Sequence, residues 1–314
     1  MNVLVYGSGA VGGYIGGMLA MAGHEVTLIA RPDTVEAIHA GGLLFTEGTS
    51  RRRASLQAYG SIEDGFAYSP PFDLIILGMK SYDLDAAIQR LAAICPSPPM
   101  VMCIQNGIGA EEMVARWFGN ERILSAAVTI PISRLEPNHL WVQKADRGVG
   151  LAPVEPGQDI GQWVAMFRQS GIDCRALPDY RAMKWSKAFL NIMGNATSAI
   201  LNRPPAELYR IDAIFDLEMR MLRETTGVIR ALGLEVINLP GASARPLACL
   251  LDFAPRFLLH SVFGRVIARG RGDKMPSFYL DLVSGKGQSE IRFHNGAIAE
   301  AGRRVGVAVP VNSA

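Results

Sequence analysis

Five residues, Asn-Val-Leu-Val-Tyr at 2–6, run directly into Gly7-Ser8-Gly9-Ala10-Val11-Gly12. No other stretch constrains the fold as strongly. The apolar, valine-rich run reads as a buried parallel strand. A G-x-G-x-x-G sequence between such a strand and a helix is a phosphate-binding turn. Gly7 permits the tight turn, Gly9 lets a pyrophosphate approach the backbone, and Gly12 lets the helix lie close to the strand. Past Ala10 and Val11 a helix is expected over 14–22, its N-terminus offering unpaired N–H groups and partial positive charge to the phosphates. A second strand, 25–30, completes the context. A dinucleotide site is therefore expected over the competing reading, a bland glycine-rich turn.

The end of the second strand selects the cofactor. NAD sites carry Asp or Glu about twenty residues past the turn, to accept from the ribose 2′-hydroxyl. This chain has Ala30-Arg31-Pro32 there. A carboxylate repels a 2′-phosphate, whereas a guanidinium grips one through two hydrogen bonds. The expectation is NADP(H) held by Arg31. The alternative is a solvated Arg31, with Asp33 serving the ribose.

A chain of 314 residues that is 49% hydrophobic can build one large or two ordinary cores. Its net charge of +2 implies no nucleic-acid or membrane field. Arg51-Arg52-Arg53, the one compact basic run, suits a solvated turn or edge strand. No basic leader precedes the first strand, and no uncharged run of about 18 apolar residues suggests a span, so a cytoplasmic protein is expected. The four cysteines (Cys95, Cys103, Cys174, Cys249) and five histidines are scattered, so reduced thiols and no metal site are expected.

Along the chain, a short helix over 33–40 is expected, with Asp33 as N-cap, then a small β excursion over 43–59. Strand 73–78 delivers Met79-Lys80-Ser81 to the ligand crevice, where strand ends of open α/β sheets point. Lys80 is thus a cofactor candidate or a solvated loop lysine. Helix 84–94 and strand 100–104 follow, the latter bringing Gln105-Asn106-Gly107. Asn106 suits substrate or nicotinamide binding, or turn chemistry alone. Helix 110–118, strand 123–129, antiparallel strands within 131–158, helix 159–170 and strand 173–177 finish an α/β domain over 1–178. From 179 to 314 the spacing is helical, over 181–201, 213–232 and 247–268, so an all-α domain is expected. The cleft between the two domains is the expected substrate site.

Lys187, Asn191 and Asn195 recur every fourth residue, which on a helix puts them on one face drifting about 40° per step. Asparagine is a poor helix former, and the neighbours are apolar. A buried polar ladder lining a cleft is favoured over an exposed polar face. Hydride transfer to a ketone leaves negative charge on its oxygen, which a cation stabilises and an acid protonates. Lysine, with an ordinary value near 10.4, serves both needs. Glu290 is a candidate to keep it charged and aimed. It reads equally as the first carboxylate of a helix over 290–304 capped by Ser289.

Taken together, the chain resembles the ketopantoate reductase (2-dehydropantoate 2-reductase) family throughout. The matching pieces are Gly7–Gly12, the strand end at Arg31, Met79-Lys80, Gln105-Asn106-Gly107, Lys187-x₃-Asn191-x₃-Asn195, Pro276-Ser277-x₃-Asp281, Ser289-Glu290-Ile291, Asn295-Gly296 and Pro310-Val311-Asn312. The resemblance implies a Rossmann-type N-terminal α/β domain and an all-α C-terminal domain like that of 6-phosphogluconate dehydrogenase. It implies Arg31 on the 2′-phosphate, Lys80 and Asn106 near the cofactor, and Lys187 as general acid. Asn191 and Asn195 would hold the substrate hydroxyl, Ser277 its carboxylate, and Glu290 would orient Lys187 or the substrate. The implied reaction is NADPH-dependent reduction of ketopantoate to (R)-pantoate, a step toward pantothenate and coenzyme A. The family commonly has Thr before its glutamate and Ser-Met-x-x-Asp at its serine. Here Ser289 and Phe278-Tyr279 stand instead, and bulk beside Ser277 would suit another 2-keto acid. A closing helix is expected beyond Pro310. The alternatives are a paralogue reducing another keto acid and an NADP sensor without turnover. A homodimer through an apolar helical face is compatible with the chain, and no local signal selects that face.

Overall fold

The computed structural model describes every residue except Pro70, Lys144, Ala145, 271–273 and Lys286. The chain forms two compact units. One comprises Met1–Gln105, Ala110–Tyr180 and Leu239–Ala242. The other comprises Asn106–Gly109, Arg181–Asn238 and Ser243–Ala314.

The first unit runs β1 (Asn2–Tyr6), α1 (Ala10–Met21), β2 (Glu25–Ile29), α2 (Pro32–Gly41), β3 (Leu43–Glu47), β4 (Ser50–Ala54), β5 (Gln57–Tyr59), α3 (Ile62–Tyr68), β6 (Leu74–Leu77) and α4 (Leu84–Ile94). It continues through β7 (Met100–Cys103), α5 (Ala110–Phe118), β8 (Ile123–Val128), β9 (Ile132–Glu136), β10 (His139–Val142), β11 (Gly148–Pro153), α6 (Gly161–Gln169) and β12 (Asp173–Ala176). The main sheet has the order β12-β11-β8-β7-β6-β1-β2-β5. Its pairs are parallel except β11 against β8. Successive residues of its apolar strands feed opposite faces, as period two requires. Val3, Val5, Leu74 and Ile76 join the core under α1 and α6, while Leu4, Ile75 and Leu77 join the core under α4 and α5.

A second sheet, β4-β3-β10-β9, shares the α1 core. Here two expectations are corrected. The β excursion over 43–59 splits, because β5 leaves it to pair with β2 in the main sheet. The strands of 132–142 instead complete the excursion, β10 pairing with β3. The basic run 51–53 lies on edge strand β4, where Arg52 pairs with Glu47 at 2.9 Å. Helix α1 begins at Ala10, not at residue 14, because its glycines serve close packing. A Cβ on Gly16 would lie 2.9 Å from Leu28 of the main sheet, and one on Gly17 would overlap the Phe45 ring of the small sheet. Glycines cost a helix about 1 kcal/mol each, and burial between two sheets offsets that cost. Arg31, not Asp33, occupies the N-cap position of α2, without a side-chain capping bond, because Pro32 suits the first helical position.

The second unit contains α7 (Tyr180–Ile192), α8 (Asn195–Leu201), α9 (Pro205–Leu208), α10 (Asp212–Ala231), α11 (Ala244–Phe253), α12 (Arg256–Gly270), α13 (Ser277–Val283), α14 (Asn295–Val305) and α15 (Pro310–Ser313). Its core gathers Trp185, Phe189, Phe215, Leu222, Leu251, Phe263 and Ile298. Three expected helices are each broken. The helix over 181–201 parts at Gly194, which adopts φ 63. The one over 247–268 parts at Ala254, held extended before Pro255. The one over 290–304 becomes a 3₁₀ turn, Glu290–Phe293, and then α14. No helix among the described residues is long and apolar enough to cross a membrane.

Candidate active site

In the first unit the glycine turn is built by contact. Gly7 has φ +103, and a Cβ there would sit 2.6 Å from the Met79 nitrogen. A Cβ on Gly12 would strike the Gly7 carbonyl. Gly9 differs: it is exposed, its φ is −62, and a Cβ would meet only the Gly78 carbonyl at 3.5 Å, an ordinary contact. Among the described residues nothing demands glycine at that position. The first turn of α1, which opens with Ala10, Val11 and Gly12, carries no acidic residue and no side-chain cap. A bare helix N-terminus beside an unfilled glycine suits a diphosphate. These residues therefore fit a dinucleotide.

Arg31 is exposed at the N-cap of α2. Asp33 lies in the first turn, where its Oδ1 accepts from the Thr34 nitrogen at 2.8 Å. Arg134, on β9, donates to the Ser8 carbonyl inside the glycine turn and to Thr34 Oγ1 at 3.4 Å. Burial and the nearby Arg31 hold the Arg134 pKa below its ordinary value, with Asp33 pulling the other way. Lys80 is half-buried at the end of β6 and precedes a 3₁₀ turn. Gln105 braces that strand end, its Nε2 donating to the Leu77 carbonyl at 2.7 Å and the Met79 carbonyl at 3.3 Å.

In the second unit Asn106, Asn191, Asn195 and Ser277 form one connected row. Asn191 donates to Asn106 Oδ1 at 3.3 Å. Asn195 Nδ2 donates to the Asn191 carbonyl at 3.1 Å and to Ser277 Oγ at 3.4 Å, while its Oδ1 accepts from the Phe278 nitrogen at 3.2 Å. Gly107, at φ +91, turns this loop closely past Phe293, whose carbonyl accepts from the Ile108 nitrogen at 2.9 Å. Lys187 is half-buried on α7, one turn before Asn191. Asn195 does not continue that helix, as the even spacing suggested, but opens α8 beyond the Gly194 break. Glu290 is buried, and Ser289 caps its 3₁₀ turn through the Ile291 nitrogen at 3.2 Å. Phe278 is only 2% exposed and packs against His294 at 5.3 Å between centroids, so its bulk turns into the core beside Ser277.

Two supports escaped the sequence reading. Glu218 of α10 is fully buried and accepts from the Gly194 nitrogen at 2.9 Å, Thr197 Oγ1 at 2.6 Å and Tyr209 Oη at 2.8 Å. It holds the break that presents Asn195. The legible signal was a carboxylate inside the apolar stripe Phe215, Met219, Leu222. Glu224 anchors the C-terminal segment, accepting from the Val311 and Asn312 nitrogens at 3.0 Å each. Asn312 in turn accepts from Asn295 at 3.1 Å, so these two matched motifs are structural partners.

Residues 3–153 match the family model described as ketopantoate reductase PanE/ApbA, and residues 179–314 match its C-terminal counterpart. A protein of Pyrococcus horikoshii named 2-dehydropantoate 2-reductase is 27% identical over 313 residues, covering 99% of this chain and 94% of that one. The crystal structure of a PanE/ApbA family ketopantoate reductase from Ralstonia eutropha superposes with TM-score 0.82 at 28% identity, covering 100% and 95% of the two chains. The structure of D-mandelate dehydrogenase with NADH and anilino(oxo)acetate shares the fold, with TM-score 0.81 at 22% identity and coverage of 100% and 95%. Both halves of the expected architecture thus recur in one lineage in the expected order, and the chain belongs to the ketopantoate reductase family of oxidoreductases.

Proposed function

We propose that this protein is a cytoplasmic NADPH-dependent 2-dehydropantoate 2-reductase. The observation that carries the reading is the amide–hydroxyl row Asn106–Asn191–Asn195–Ser277, one helical turn beyond Lys187. A reduced nicotinamide, when bound, supplies the hydride. Lys187 contributes the ammonium that stabilises charge developing on the keto oxygen and then gives up the proton. Glu290, buried at the start of the 3₁₀ turn, orients Lys187 or the substrate. Asn191 and Asn195 present amide donors and acceptors to the hydroxyl end, and Ser277 donates to the carboxylate. Gly7–Gly12 and Arg31 hold the nucleotide, with Lys80 and Asn106 toward its reactive end.

The test is a panel of 2-keto acids followed by NADPH absorbance, on wild type and Lys187→Ala. Ketopantoate should give the highest kcat/KM, and the variant should lose about two to four orders of magnitude in turnover. A different acid clearly ahead would favour the paralogue. NADPH binding without oxidation by any acid would favour the sensor. Near-wild-type turnover in the variant would remove Lys187 from the chemistry.

A further inference from the structure

The NADPH reading rests on Arg31, which is exposed at the end of β2 and supplied by local sequence. A second cation reaches the same place from far along the chain. Arg134 lies on β9, the edge of the small sheet, and its guanidinium extends to the glycine turn and the first turn of α2. Two of its five N–H groups are occupied there, by the Ser8 carbonyl and Thr34 Oγ1. The charges that act on it are Arg31, which repels it, and Asp33, which attracts it. Among the described residues no carboxylate lies within 4 Å of it, so it has no ion-pair partner. A half-buried guanidinium held beside a like charge is unfavourable unless an anion joins them. The group that distinguishes NADP from NAD is such an anion, a phosphate monoester of about −1.5 to −2 charge.

We propose that Arg134 and Arg31 form a two-armed clamp on the ribose 2′-phosphate, so that Arg134 determines cofactor preference. This rests on the NADPH reading above. Arg31 approaches from the strand end, and Arg134 from the small sheet through the N–H groups left over after bracing Ser8. The competing role is a brace for the glycine turn alone. The two differ in what they do to the dinucleotide without a 2′-phosphate, since a brace serves both cofactors equally.

Dissociation constants for NADPH, NADH, 2′,5′-ADP and 5′-AMP, measured by titration calorimetry at fixed ionic strength, separate these roles. Arg134→Gln should weaken NADPH and 2′,5′-ADP by about ten- to a hundredfold, the range of one or two charge-assisted hydrogen bonds. NADH and 5′-AMP should change less than threefold, roughly the scatter of a neutral surface change. Arg134→Lys, which keeps the charge but not the fork, should fall between, and it serves if the Gln variant does not fold. Equal weakening of both cofactors, or an unchanged preference, overturns the clamp while leaving the NADPH reading intact. A wild-type preference for NADH overturns the NADPH reading itself.

Discussion

Glu218 offers the sharpest test of how the asparagine–serine row is held. Its carboxylate is completely buried and accepts from a backbone N–H, a threonine hydroxyl and a tyrosine hydroxyl at 2.9, 2.6 and 2.8 Å. The first of these belongs to Gly194, the left-handed residue that opens α8 and has no cap of its own. Glu218 therefore caps α8 from another helix. Glu218→Ala strands three buried donors, each costing about 1–3 kcal/mol. The two hydroxyls can turn toward water admitted to the new cavity, so the expected loss is about 4 kcal/mol, a large share of a typical 5–15 kcal/mol. Glu218→Gln keeps the shape. Its carbonyl can serve Gly194 and Tyr209 while its amide donates to Thr197, whose hydroxyl also accepts. The expected loss there is about 1–2 kcal/mol, since neutral bonds replace charge-assisted ones. A chain of two units need not unfold in one step. Hydrogen–deuterium exchange on peptides spanning α8, compared with peptides spanning α6, isolates the effect. Protection of α8 should fall in the Ala variant well beyond the Gln variant, with α6 unchanged. Equal losses in the two variants would refute the reasoning, because the acceptor set would then not be what holds the junction.

The glycine turn and the thiols give two further outcomes. Gly9→Ala should keep its melting temperature within a degree or two yet lose dinucleotide binding, since its Cβ meets nothing closer than 3.5 Å. Gly12→Ala should lower the melting temperature by several degrees, because its Cβ strikes the Gly7 carbonyl. Normal binding by the Gly9→Ala variant would show that the space is not for ligand. Burial pushes the Cys174 thiol up to about 12, so at pH 8 only about one molecule in ten thousand carries its thiolate. Cys249 is exposed. Mass-spectrometric mapping after maleimide treatment should find Cys249 labelled first and Cys174 only after unfolding. Comparable native rates at the two would refute the packing around Cys174.

What the chain declares by itself is local. The glycine turn, the apolar strands and the helical spacing past residue 179 each lie within a few consecutive residues, and each obeys a period or a turn geometry. From these alone came the α/β unit followed by a helical one and the spacing of Lys187, Asn191 and Asn195, whereas Arg51–Arg53 read as either a turn or an edge strand until β4 took its place in the sheet. Tertiary structure decided what depends on residues far apart in sequence. No periodicity announces that 43–47 pairs with 139–142, or that β5 deserts its neighbours for β2. Gly194 permits a break in the helix, but the carboxylate that holds it there lies 24 positions away. The reach of Arg134 to Ser8 spans 126 positions. Backbone preference acts between neighbours, whereas a buried charge or a glycine under an aromatic ring is settled only by the atoms that folding brings against it.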